Sequence, residues 1–165
     1  MNIAICIFMS FYIIYLFLIA IIDKKYLKID KKVNVSGIVG AIIYILYLYI
    51  INPSSMKINL IYIGIYIILL IADTFIIKRY AKESYTIGIL ILFNTILIFS
   101  GIKIFAYTVV LTAIEILICM ILAKVQQKNN GHKKINIGEI PVGYLLGTSN
   151  IFTLVATSII TIYIR

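Results

Sequence analysis

Long uncharged runs follow one another along the chain, and charged residues gather in short clusters between them. A helix needs about 20 apolar residues to cross a hydrocarbon core of about 30 Å. That template predicts six spans, at about 3–22, 35–51, 58–77, 85–102, 104–123 and 140–164. The second ends at the turn pair Asn52-Pro53, and the fourth and fifth are separated by little more than Lys103. Asp73 lies inside the third span and Glu115 inside the fifth. The sixth is polar in its first third, with Gly143, Gly147, Thr148, Ser149 and Asn150. Pro141 lacks an N–H and glycine weakens helices, so the regular helix of this span is expected to begin well inside the membrane end. The expected fold is all-α: a polytopic membrane protein of six transmembrane helices, one domain over residues 1–165.

Composition agrees with the pattern. The 165 residues are 63% hydrophobic and 13% charged, with a mean hydropathy of +1.12. A water-soluble domain carries about 25% charged residues, so a soluble fold is excluded, and disorder with it. The net charge of +9 suggests a nucleic-acid binder only until the basic residues are located. They sit where the chain leaves the lipid, and anionic headgroups are a sufficient partner for them. Membrane lipid is therefore the expected partner, and nucleic acid is not. Positive residues collect on the cytoplasmic side of a membrane. With the N-terminus outside, the inner loops hold Lys24, Lys25, Lys28, Lys31 and Lys32, then Lys78, Arg79 and Lys82, then Lys124, Lys128, Lys133 and Lys134. Only Lys57, Lys103 and Arg165 fall outside. This predicts a multi-pass protein of the cytoplasmic membrane with both termini outside and His132 inside. The first span is not expected to be an ordinary signal peptide, since no Lys or Arg precedes it and no small-residue cleavage site follows.

Each of the six acids can then be assigned a level. Asp23 ends the first span, Asp30 is in the first inner loop, and Glu83 and Glu139 precede the fourth and sixth spans on the inner side. Asp73 lies five residues before Lys78, about 7 Å above the inner end of its span at 1.5 Å per residue. Only Glu115 is near mid-membrane, where Thr108 and Thr112 could supply hydroxyls to its face; it reads first as a buried, protonated structural residue and otherwise as part of a proton or cation path. Acids beside lysines are often ion-pair partners in wet loops, the plain reading for Asp30, Glu83 and Glu139. A carboxylate at or inside an apolar span is costly unless paired or wetted, so Asp23 and Asp73 ask for more. Two close carboxylates hold one proton between them, and such a dyad lets one activate water while the other donates a proton. Other chemistries find little support. His132 stands alone, and Cys6 and Cys119 differ in depth by most of the membrane, which excludes both a metal site and a disulfide. No glycine-rich phosphate loop is present, and no cofactor is expected.

Two segments resemble a known family. Ile22-Asp23-Lys24-Lys25-Tyr26-Leu27-Lys28-Ile29-Asp30-Lys31, followed by an apolar span, resembles the first motif of the type IV prepilin peptidases. In that family an Asp at the inner end of a helix is followed, after five residues, by Ile-Pro-Asn. Ile140-Pro141-Val142-Gly143-Tyr144-Leu145 resembles the family's Ile-Pro-Phe-Gly-Pro segment, which opens its last membrane helix. The six-span, N-outside layout is also similar. Asp30 stands where the family has Pro, and Val142 and Tyr144 stand where it has Phe and Pro. The second catalytic motif, Gly-x-Gly-Asp at the start of the fourth span, has no counterpart here. If Gly88 is its remaining glycine, Ile91 occupies the position of the Asp.

The resemblance implies a membrane aspartic endopeptidase that removes a leader from a pilin-like or secretion substrate at the cytoplasmic boundary. Asp23 would be one catalytic carboxylate, Glu83 or Asp73 the other, and Pro141 and Gly143 would contact substrate. The methyltransferase activity of the larger family members is not implied, because their cysteine-bearing insert is absent. The alternatives are a non-catalytic relative that serves as a binding or assembly partner, and a small ion or solute carrier built around Glu115 and Asp73.

Overall fold

The computed structural model describes residues 3–51, 84–130 and 140–163, together with Gly64, Ile68 and Ile71. The described residues form helices α1 (Ile3–Tyr26), α2 (Lys31–Ile51), α3 (Ser84–Asn130) and α4 (Val142–Tyr163). All four are long and apolar enough to cross a bilayer. Of the span expected at 58–77 only Gly64, Ile68 and Ile71 are described, and Asp73, Glu83, His132 and Glu139 lie outside the described residues.

The outer surface of the described helices is apolar, and the core mixes apolar side chains with polar ones. Ile3, Ile7, Ile50, Tyr107 and Phe152 are exposed, while Asp23, Asn34, Thr108, Ser149 and Asn150 are buried. Lipid tails gain nothing from hiding isoleucine, whereas polar side chains lower their energy by finding partners between helices.

α1 outlasts its apolar run by a turn, through Asp23, Lys24, Lys25 and Tyr26. It stops where Leu27 takes a left-handed φ of 48° and its N–H bonds Asp23 O at 2.8 Å. This is a helix C-cap built without the usual glycine. α2 then starts four residues earlier than its apolar run, because Asp30 caps it. Asp30 Oδ1 accepts the N–H groups of Lys32 at 2.7 Å and Val33 at 3.3 Å, and Asp30 O accepts that of Asn34. Asp30 is thus a helix cap as well as a loop acid.

α3 covers the expected fourth and fifth spans in one element of 47 residues. A straight helix of that length would measure about 70 Å, more than twice the hydrocarbon thickness. It is not straight. Gly101 has φ 74° and ψ 165°, a conformation open essentially to glycine alone. Phe93 and Phe105 flank it with ring centroids 5.8 Å apart, whereas twelve residues of straight helix would separate their Cα atoms by about 18 Å. The chain therefore folds back at Gly101, two residues before the lysine that divides the spans in the sequence. Phe99, just before the bend, stacks on Tyr12 of α1 at 4.6 Å and Tyr44 of α2 at 5.0 Å, joining three elements.

α4 begins at Val142, directly after Pro141, and runs unbroken through Gly143 and Gly147. The expected late start is not found. Pro141 O accepts the N–H of Leu145 at 3.1 Å, so Pro141 is itself the N-cap residue. Its missing N–H costs nothing at a helix start, and packing against α1 offsets the glycines' weak propensity.

Candidate functional site

A helix starting with Pro141 as N-cap has no capping side chain of its own, and its first N–H groups need acceptors. α1 provides one. Asp23 is fully buried, and its Oδ2 accepts the N–H of Tyr144, the third residue of α4, at 3.0 Å. A carboxylate at this position also faces the positive end of the helix dipole. Lys24 and Lys25, next in sequence, are exposed, and Lys24 Nζ lies 4.9 Å from the centre of the Tyr144 ring. The long side chains reach outward while the short acid turns inward, as their lengths lead one to expect.

Close approach of the backbones makes this contact possible. A Cβ on Gly143 would lie 3.1 Å from Asp23 Oδ2 and 3.3 Å from its Cγ. One turn on, a Cβ on Gly147 would lie 3.3 Å from the backbone oxygen of Leu16 and 3.5 Å from Ala20 Cβ. Gly143 and Gly147 form a small-residue seam along which α4 and α1 meet.

The start of α3 completes the surroundings. A Cβ on Gly88 would be 2.8 Å from Ile29 Cβ, and Ile29 Cδ1 lies 3.3 Å from where a Gly143 Cβ would be. Asn34 Nδ2 donates to Gly88 O at 3.0 Å, and Tyr15 OH donates to Asn34 Oδ1 at 3.2 Å. Asp23, Ile29, Asn34, Gly88, Gly143 and Tyr144 therefore gather at one end of the bundle, drawn from the end of α1, the turn after it and the starts of α2, α3 and α4.

Of the residues singled out in the sequence, Asp23 and Gly143 are in contact, and Pro141 is half-buried at the start of the same helix. Gly88 is present as a close-approach glycine, and Ile91, three residues on, is half-buried. Asp73 and Glu83 lie outside the described residues. Asp30 and Glu115, the other acids described, are bonded elsewhere. The candidate dyad thus has one described member, and the second would come from Asp73 or Glu83.

Deeper in the bundle a second polar group of contacts crosses between helices. Tyr12 OH donates to Asn150 Oδ1 at 2.7 Å, and Asn150 Nδ2 donates to Thr108 Oγ1 at 2.9 Å. Ser149 Oγ donates to Glu115 Oε2 at 2.9 Å. The hydroxyl serving Glu115 comes from α4, whereas Thr108 and Thr112 donate to carbonyls of their own helix, Ile104 O and Thr108 O. The sequence offers Thr108 and Thr112 hydroxyls to the face of Glu115, but threonine in a helix readily returns its hydroxyl to the preceding turn. Cys6 and Cys119 are both free. Sequence reasoning missed Asn34, which lies just before the second apolar run, and took Asn150 only as one polar residue of the last span, although an Asn inside an apolar span is itself a signal that a partner helix must satisfy it. Comparison of the chain with protein-family models, with curated proteins and with solved structures gives no match.

Proposed function

We propose that this protein is a prepilin-peptidase-like aspartic endopeptidase of the cytoplasmic membrane, with six spans and both termini outside. It cuts a leader from a pilin-like or secretion substrate at the inner boundary. One observation carries the reading: the two segments that resemble the family, more than a hundred residues apart, meet through Asp23, Gly143 and Tyr144. Asp23 is the carboxylate at that meeting point, buried at the end of a membrane-length helix.

In this reading Asp23 and a second carboxylate, from Glu83 or Asp73, share one proton. The ionised member takes a proton from water as the water attacks the scissile carbonyl. The protonated member hydrogen-bonds the carbonyl oxygen and then returns a proton to the leaving amine. Pro141, half-buried at the start of α4, shapes the mouth through which the extended substrate backbone approaches. Co-expression with a short protein bearing a leader and a long apolar helix tests this, with leader removal read by mass spectrometry. Glu83→Gln and Asp73→Asn identify the partner: one of them stops cleavage and the other does not.

A second reading is favoured by the same hydrogen bond. In a non-catalytic relative, Asp23 would serve only to cap α4, and the protein would act as a membrane binding or assembly partner. Absence of cleavage with every substrate of the stated kind, in a protein that remains folded, selects this reading.

A further inference from the structure

The bond from Tyr144 to Asp23 has no equivalent in the segment that α4 resembles, since that segment has Pro, which carries no N–H, where this chain has Tyr144. We infer that Tyr144 is a positioning residue: its backbone N–H, with the bare backbone of Gly143, holds the Asp23 carboxylate in one orientation. The effect on rate rests on the peptidase reading, whereas the holding itself rests on geometry alone.

An aspartate can turn about two side-chain torsions, and orienting its carboxylate takes a restraint on an oxygen and one on the plane. Tyr144 N–H provides the first, at 3.0 Å from Oδ2. It belongs to the first turn of a helix, where an N–H has no partner within its own helix and cannot swing away as a hydroxyl or an ammonium can. Gly143 provides the second: its backbone lies so close to Asp23 Oδ2 and Cγ that even a methyl group there would press on the carboxylate. Gly147 maintains the spacing one turn deeper, against the rigid backbone oxygen of Leu16. Gly143, which the resemblance assigned to substrate contact, therefore acts on the carboxylate itself.

The positioning role and a role in which the N–H merely diverts the carboxylate from chemistry make opposite predictions. Tyr144→Pro removes the donor and is tolerated in a first helical turn. Positioning predicts that kcat for leader removal falls at least about tenfold while KM changes less than about twofold, since misplacement of a reacting group by 1 Å can cost about 10²-fold. Tyr144→Ala keeps the N–H, so its kcat should fall far less than that of Tyr144→Pro, which separates the backbone from the ring. Gly143→Ala should lower kcat in the same way as Tyr144→Pro. An unchanged or raised kcat in Tyr144→Pro overturns the inference, and so does a loss of kcat in Tyr144→Ala as large as that in Tyr144→Pro.

A second readout needs no activity. In detergent-solubilised protein, Asp23→Ala should lower the melting temperature by about 2 °C or more in the wild type but far less in the Tyr144→Pro background, because the bond is already gone there. Equal losses in both backgrounds overturn the inference. A wild-type protein that cleaves nothing, yet shows this non-additivity, overturns the peptidase reading and leaves the held carboxylate intact.

Discussion

Gly88→Ala tests how tightly the site is assembled, because that glycine fixes the approach of α3 to the turn between α1 and α2. The new Cβ would start 2.8 Å from Ile29 Cβ, while ordinary contact begins at 3.4 Å. α3 and the turn must therefore part by about 0.6 Å, the difference of those two distances. Ile29 cannot avoid this by rotating, since the atom struck is its own Cβ. The same separation would stretch the 3.0 Å bond from Asn34 Nδ2 to Gly88 O to about 3.6 Å, where it no longer counts as a hydrogen bond. Overpacking costs about 1–3 kcal/mol and a buried amide left without its acceptor about 1–3 kcal/mol. The better helix propensity of Ala offsets about 1 kcal/mol, so a net loss of about 3 kcal/mol is expected. Reversible unfolding in mixed detergent micelles measures it. Repeating the substitution in an Ile29→Gly background, which removes the opposing Cβ, should recover the overpacking part. If Gly88→Ala were as stable as the wild type, or if Ile29→Gly recovered nothing, the close approach of α3 to this turn would be refuted.

The two positive-φ positions should respond in opposite directions. Leu27→Gly relieves a left-handed leucine and should raise stability by about 1 kcal/mol in the same unfolding assay, with cleavage unchanged. Gly101→Ala forces a side chain into a conformation reserved for glycine and should cost about 1–3 kcal/mol. A spin-label pair near Phe93 and Phe105 would report the fold-back opening in that variant.

Much of this architecture is legible in the hydrophobic pattern, and the misses have local causes. Apolar runs locate α1, α2, α3 and α4, but they end where lysines begin, whereas the helices continue. Asp23 to Tyr26 still turn as helix, and Lys31 to Asn34 already do, because Leu27 and Asp30 set those ends by backbone geometry and capping. Gly101 is visible as a glycine beside Lys103, but only its φ shows that the chain reverses there. The burial of Asp23 follows from its place after an uncharged run. Its partner does not, since a backbone N–H belonging to residue 144 leaves no mark in a side-chain pattern. Tyr12, Asn150 and Thr108 meet across three elements, and no spacing within one helix encodes that meeting.

Leader removal by Asp23→Asn tests the central claim most directly. Asparagine retains a carbonyl oxygen that can accept the Tyr144 N–H, so α4 keeps its cap and the bundle its shape, while the group can no longer exchange a proton. The account predicts a folded protein, with unfolding behaviour close to wild type, that leaves a pilin-like substrate uncut in a mass-spectrometric assay in which the wild type cuts it. Cleavage at the wild-type rate by Asp23→Asn would contradict it, and Asp23 would then be a helix cap and nothing more.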